Sequence, residues 1–141
     1  MGKKSAKIAA MIQSFHGRAH DAHYFGYFEC FNRGLYYEAH EVLEELWLAD
    51  RNGPNHGFYK GLIQLAGAFV HLRKNRLRPA AALFRLARAN LQPCPPIHER
   101  LDTAQIVASI DVWLSKLEGS GFTANPLETD PAPKLALIDP S

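Results

Sequence analysis

Between Arg51 and His98 the chain contains no aspartate or glutamate, while carrying eight lysines and arginines. All fourteen of its carboxylates lie outside that stretch, and five of them, Glu38, Glu41, Glu44, Glu45 and Asp50, crowd just before it. With a net charge of only +2, this unevenness points first to pairing between neighbouring segments, not to a strongly basic chain built for nucleic acid. Cysteine is scarce as well. Cys30 and Cys94 lie in no Cys-x-x-Cys or Cys/His ligand pair, which excludes a disulfide framework and a zinc knuckle and leaves packed thiols. No apolar run approaches bilayer length, and Lys3-Lys4 followed by the short Ile8–Ile12 stretch lacks the apolar region of a secretory signal, so a cytoplasmic chain without membrane contact is expected. No segment alternates with period two, so no strands are expected.

What is present is helical patterning, in a chain of 141 residues that is 47% hydrophobic and long enough for one core. The periodicity predicts five helices, over about 17–32, 35–49, 57–73, 77–91 and 98–118. Asn32-Arg33-Gly34 and the Asp50–Asn55 turn formers supply stops, Pro79 fits a first helical turn, and Gln92–Pro96 breaks the fourth helix. Residues 1–16 are expected to be a flexible start, 17–118 the helical domain, and 119–141 a Pro/Gly-rich tail outside the core, with Leu135, Leu137 and Ile138 able to fold back as an extended arm. Sliding the chain by 41 residues reveals a repeat. Phe31, Gly34, Tyr36, Ala39 and Leu43 fall on Leu72, Asn75, Leu77, Ala80 and Phe84. Each copy ends a helix in a hydrophobe, turns at a residue tolerant of positive φ, and places alanine where two helices must approach. Gly34-x-Tyr36-x-x-Ala39 resembles the turn of a tetratricopeptide repeat, which implies two helical hairpins plus a closing helix in an all-α five-helix bundle.

The residues that this architecture does not require are the candidates for function. On the second helix, Tyr36, His40, Glu44 and Trp47 line one edge of the apolar stripe, with Glu38, Glu41 and Glu45 on the other. On the third, otherwise apolar helix, Lys60, Gln64, Gly67 and His71 form one polar stripe; Gln64 and His71 need hydrogen-bond partners if buried. Antiparallel pairing of the two helices predicts Glu41 and Glu45 near Gln64, and Glu38 near His71. Such a layer of carboxylate, amide and imidazole suits a small ligand, a divalent metal held by His40 and Glu44, or acid-base chemistry. His40-Glu41-x-x-Glu44 stops short of the zincin spacing, so whether the chain is an enzyme stays open. Arg73, Lys74, Arg76, Arg78, Arg85 and Arg88 form the basic stretch that a phosphate or nucleic-acid partner would use. His16, His20 and His23 are expected to be solvated.

The run Phe31-Asn32-Arg33-Gly34-Leu35-Tyr36-Tyr37-Glu38-Ala39-His40-Glu41-Val42-Leu43-Glu44-Glu45-Leu46-Trp47, followed by Gly61-Leu62-Ile63-Gln64, resembles the family known as domain of unknown function 309 over about residues 17–92. The resemblance implies a small helical intracellular protein, with Asn32, Tyr36, His40, Glu41, Glu44, Trp47, Gly61 and Gln64 as the motif residues, and carries no activity with it. The expected function is therefore a helical binding module whose polar interhelical site, Asn32, Tyr36, His40, Glu41, Glu44, Trp47, Lys60, Gln64 and His71, receives a small ligand, a metal ion or a partner segment. Its alternatives are a metal-dependent hydrolase and phosphate or nucleic-acid binding. A homo-oligomer is compatible with the sequence.

Overall fold

Two turns of the same build organise the helices. In the computed structural model, which describes residues 22–139, the first helix, α1 (Ala22–Asn32), ends at Gly34 with φ of +76°. The third, α3 (His56–Arg73), ends at Asn75 with φ of +57°. At the first turn Leu35 N donates to Cys30 O (2.8 Å) and Gly34 N to Phe31 O (2.9 Å). At the second, Arg76 N donates to His71 O (2.9 Å) and Asn75 N to Leu72 O (3.0 Å), the same pattern 41 residues later. Each satisfies the last carbonyls of its helix through a left-handed residue, a conformation glycine and asparagine adopt at least cost. The next helices, α2 (Tyr36–Ala49) and α4 (Leu77–Leu91), then return antiparallel, with Ala39 and Ala80 both fully buried at the crossing. The internal repeat is thus a repeat of turn geometry. Residues 17–21 of the expected first helix, along with His16 and His20, lie outside the described residues.

The expectation of no strands is corrected by a short antiparallel hairpin, β1 (Ile97–His98) with β2 (Leu101–Asp102), and the last helix, α5 (Thr103–Gly119), starts at 103 instead of 98. Glu99 and Arg100 form the two-residue turn with φ of +50° and +62°, the sense that matches strand twist, though without the Asn-Gly signal that usually announces it. Asp102 caps α5 by accepting from Gln105 N at 3.0 Å. An Asp-x-x-Gln capping pattern was the available clue.

α3 is the central element. Its Leu62 carbonyl accepts from the buried Tyr27 hydroxyl of α1 (2.6 Å), and its Phe69 packs against aromatic rings of the four other helices among the described residues. Beyond α5, Asn125 donates to Leu72 O (2.6 Å), Pro126–Glu128 forms a single 3₁₀ turn, and residues 132–138 run back across the body as an extended arm. The tail expected to stay outside the core contributes Leu135 to it. Among the described residues no helix is long and apolar enough to cross a membrane.

Candidate functional site

The polar layer expected between α2 and α3 is not formed. His40 lies on the outer edge of α2, with Nε2 3.3 Å from Glu44, Nδ1 3.3 Å from Tyr37 O and 3.9 Å from Glu41. Gln64 faces the other way, accepting from Asn90 Nδ2 of α4 at 2.7 Å. Glycine decides this rotation. A Cβ on Gly61 would stand 2.8 Å from Leu91, and one on Gly67 2.9 Å from Leu83, so the Gly61–Gly67 face is where α4 approaches closely. The stripe holding Gln64 therefore meets α4, and the glutamates of α2 do not reach it. Glu45 instead pairs with His23, which is not merely solvated, at 2.8 Å. Lys60 is exposed.

The other predicted residues are dispersed. Tyr36 is buried, stacked on Phe69 and with Arg73 over its ring at 4.8 Å, so it serves the core. Trp47 Nε1 donates to His56 Nε2 (3.2 Å) and their rings lie 5.1 Å apart, a contact that fixes the His56 proton on Nδ1. No group of three or more His, Cys, Asp and Glu that could hold a metal occurs among the described residues. Among those residues, His40 and Glu44 have no third ligand. Because that pair is half-exposed, His40→Ala is expected to change stability by no more than about 0.5 kcal/mol, as read by thermal melting. Cys30 is buried, and burial pushes the Cys94 thiol up, so both are poor nucleophiles.

His71 sits beside the α3–α4 turn with a buried Nδ1 that has no hydrogen-bond partner. Burial first, then the nearby Arg76 and Lys74 charges, hold its imidazole below the ordinary value of 6.5. The unfolded chain therefore takes up a proton there at higher pH than the folded one. Its contribution is complete above about pH 6.5 and is lost as pH falls below that value toward the lower value of the folded state. His71→Gln is expected to flatten the fall in melting temperature between pH 7.5 and pH 5.

The basic stretch divides in two. Arg85 pairs with Glu118 (2.9 Å) and Arg88 with Asp111 (2.6 Å), both partners on α5, while Arg78 lies over the Phe122 ring. The segment without carboxylates is thus partly neutralised by the last helix. Arg73 and Lys74, with Tyr36 and Tyr37, line an open cleft of about 330 Å³ between the two repeated turns. Arg76, also exposed, stands at the second of these turns.

Asn32 is the motif residue with the most telling environment. Its side-chain amide donates to Leu135 O and its Oδ1 accepts from Leu135 N, both at 2.7 Å, across 103 positions of chain. Lys134 Nζ reaches Asn32 O at 2.5 Å, at the C-terminal end of α1, where a cation is favoured. Further along, Ile138 N donates to Arg100 O (2.7 Å), the Arg100 side-chain Nε donates to Ile138 O (2.8 Å), and Leu137 forms a single antiparallel bridge with Leu101, so the arm meets the hairpin edge at one point. The hairpin is itself pinned, with the Tyr24 hydroxyl donating to Glu99 O (2.7 Å) and His98 Nε2 2.6 Å from Asn55 Oδ1. Leu135 is buried, and a cavity of about 120 Å³ lies beneath the arm, between α3 and α5. The sequence marked Asn32 and, separately, the apolar tail; nothing in it signalled that the two meet.

These features define a mostly helical domain with an extended segment lying against its helices and hairpin. The family model of a domain of unknown function (DUF309) matches residues 24–83, so the resemblance drawn from the motifs holds over that narrower span. Asn32 lies inside the matched residues and the arm outside them. An uncharacterized protein of Aquifex aeolicus (strain VF5) is similar, 29% identical over 97 residues, which is 69% of this chain and 28% of that protein. The chain therefore spans less than a third of that relative's length. No solved structure matches it.

Proposed function

We propose that this chain is a binding module for an extended polypeptide segment, with the groove formed by Asn32, the hairpin edge and α5 as receptor and residues 132–138 as the occupant it carries itself. The observation that carries the reading is the paired hydrogen bond between the Asn32 amide and the Leu135 backbone. A side-chain amide that binds both N–H and C=O of one residue imitates a neighbouring strand, and a single antiparallel bridge to the hairpin edge follows at Leu137. That is recognition by strand addition, in which main-chain bonds give affinity and alternate side chains give selectivity. A labelled peptide Pro131-Ala132-Pro133-Lys134-Leu135-Ala136-Leu137-Ile138-Asp139 tests it. Offered to the full chain carrying Leu135→Ser, which weakens the resident arm, the peptide is expected to bind saturably, and adding Asn32→Ala should abolish that binding. No binding to the Leu135→Ser chain would overturn the proposal.

A second reading, phosphate or nucleic-acid binding, rests on the cleft lined by Arg73 and Lys74. Single-stranded RNA binding that weakens steeply between low and moderate salt would support it, and none at low salt would remove it.

A further inference from the structure

The guanidinium of Arg73 is set in place by its surroundings, although the residue is exposed and ends α3. Its Cζ lies 4.8 Å from the centroid of the Tyr36 ring, which burial and stacking on Phe69 fix in turn. Its Nη2 lies against Gly34, where a Cβ would stand only 2.6 Å from it. The repeated turn supplies a comparison. Asn75 serves the corresponding left-handed position with a side chain in place, so the turn by itself does not demand glycine. What distinguishes the first turn is the guanidinium lying over it. A helix C-terminus favours cations, which accounts for Arg73 and Lys74 at the end of α3 but leaves their donors unspent. Among the described residues no carboxylate forms an ion pair with Arg73, Lys74 or Arg76, whereas Arg85 and Arg88 are paired with α5.

Resting on the second reading above, of the Arg73 and Lys74 cleft as a phosphate site, we infer that the cleft takes a single phosphate monoester group, gripped by the Arg73 fork with Lys74 as counter-charge, and not the diester backbone of a nucleic acid. The cleft of about 330 Å³ is lined by these two cations and also by Glu38, and Arg76 stands at the α3–α4 turn. Such a small surplus of positive charge balances one compact dianion. A nucleic acid instead draws its affinity from many spaced phosphate contacts, and the rest of the basic stretch is spent on α5 and on the Phe122 ring. A phosphate monoester carries about 1.5–2 negative charges at pH 7 and presents three terminal oxygens, which a planar guanidinium matches in bidentate fashion. Stacking over Tyr36 holds that fork before the ligand arrives, so less rotamer freedom is lost on binding. Free phosphate, a phosphorylated amino acid and a mononucleotide share this chemistry, and a titration separates them.

Inorganic phosphate, O-phosphoserine and adenosine monophosphate are titrated into the full chain, with dimethyl phosphate as the diester control, while nuclear magnetic resonance follows the Gly34 amide and the Arg73 Nε–H. At least one of the first three is expected to shift both signals saturably, and the tightest of them names the carrier of the group. Dimethyl phosphate should bind at least about tenfold more weakly, and Arg73→Ala should weaken monoester binding at least about tenfold, the scale of a lost charge-assisted bidentate contact. Arg73→Lys keeps the charge without the fork and should restore only part of that loss. Gly34→Asn retains a residue that tolerates the left-handed turn but sets a Cβ against the guanidinium, so it should weaken binding several-fold, while Arg85→Ala, on the side paired with Glu118, should leave it unchanged. Equal binding of dimethyl phosphate, or undiminished binding by Arg73→Ala or by Gly34→Asn, would overturn the inference. Salt-sensitive binding of single-stranded RNA with none of the three monoester probes would overturn it as well and leave the broader phosphate or nucleic-acid reading standing. Failure of RNA and monoesters alike would overturn both.

Discussion

Phe69→Ala is expected to destabilise the protein by about 3–5 kcal/mol, the range for deleting a buried aromatic ring. Phe69 is fully buried and meets Phe31 of α1, Tyr36 of α2, Phe84 of α4 and Trp113 of α5 at centroid distances of 5.6, 5.2, 5.4 and 5.1 Å. Three of these contacts are edge-to-face, the arrangement that adds to simple area burial. Because one side chain touches α1, α2, α4 and α5, relaxation around its absence is restricted, and the loss should fall in the upper part of that range. Phe69 also walls the cavity beneath the arm. Its removal should therefore loosen the arm along with the core. Urea unfolding followed by far-ultraviolet circular dichroism measures the loss, and a change below about 1 kcal/mol would contradict the position given to this ring.

Asn32→Ala is expected to cost about 1–3 kcal/mol, because it strands both the N–H and the C=O of Leu135 against a half-buried surface. Unlike Phe69→Ala, it should act through the arm alone. Combining it with Leu135→Ala tests that attribution. If Asn32 stabilises the protein by holding the arm, the two losses are not additive, and a coupling of at least about 0.5 kcal/mol should appear. Additive losses would show that Asn32 acts within α1 and not on the segment.

The helices were legible because their ends are written in local chemistry. Gly34 and Asn75 mark left-handed turns, Pro79 a first turn, and the apolar periodicity of residues 56–73 a central helix. The hairpin escaped because Glu99 and Arg100 adopt positive φ without glycine or asparagine to advertise it. The site was only partly legible. Gln64 was rightly expected to need a partner, yet that partner is Asn90 and not a glutamate of α2, since the rotation of α3 follows its glycines. Asn32 stood out in the motif, but contact with Leu135 joins positions 103 residues apart, and no periodicity encodes it. Likewise the pairing of Arg85 and Arg88 with α5 depends on how the last helix closes, a tertiary fact.

The central claim is that the C-terminal arm is a bound segment held by Asn32. Amide hydrogen exchange at Leu135, followed by nuclear magnetic resonance in the wild-type chain and in Asn32→Ala, tests it most directly. The wild-type amide should exchange at least about tenfold more slowly than in an unstructured chain, and Asn32→Ala should remove that protection while amides of α3 such as Phe69 stay slow. A Leu135 amide that exchanges freely in the wild-type protein, or stays protected in Asn32→Ala, would contradict the account.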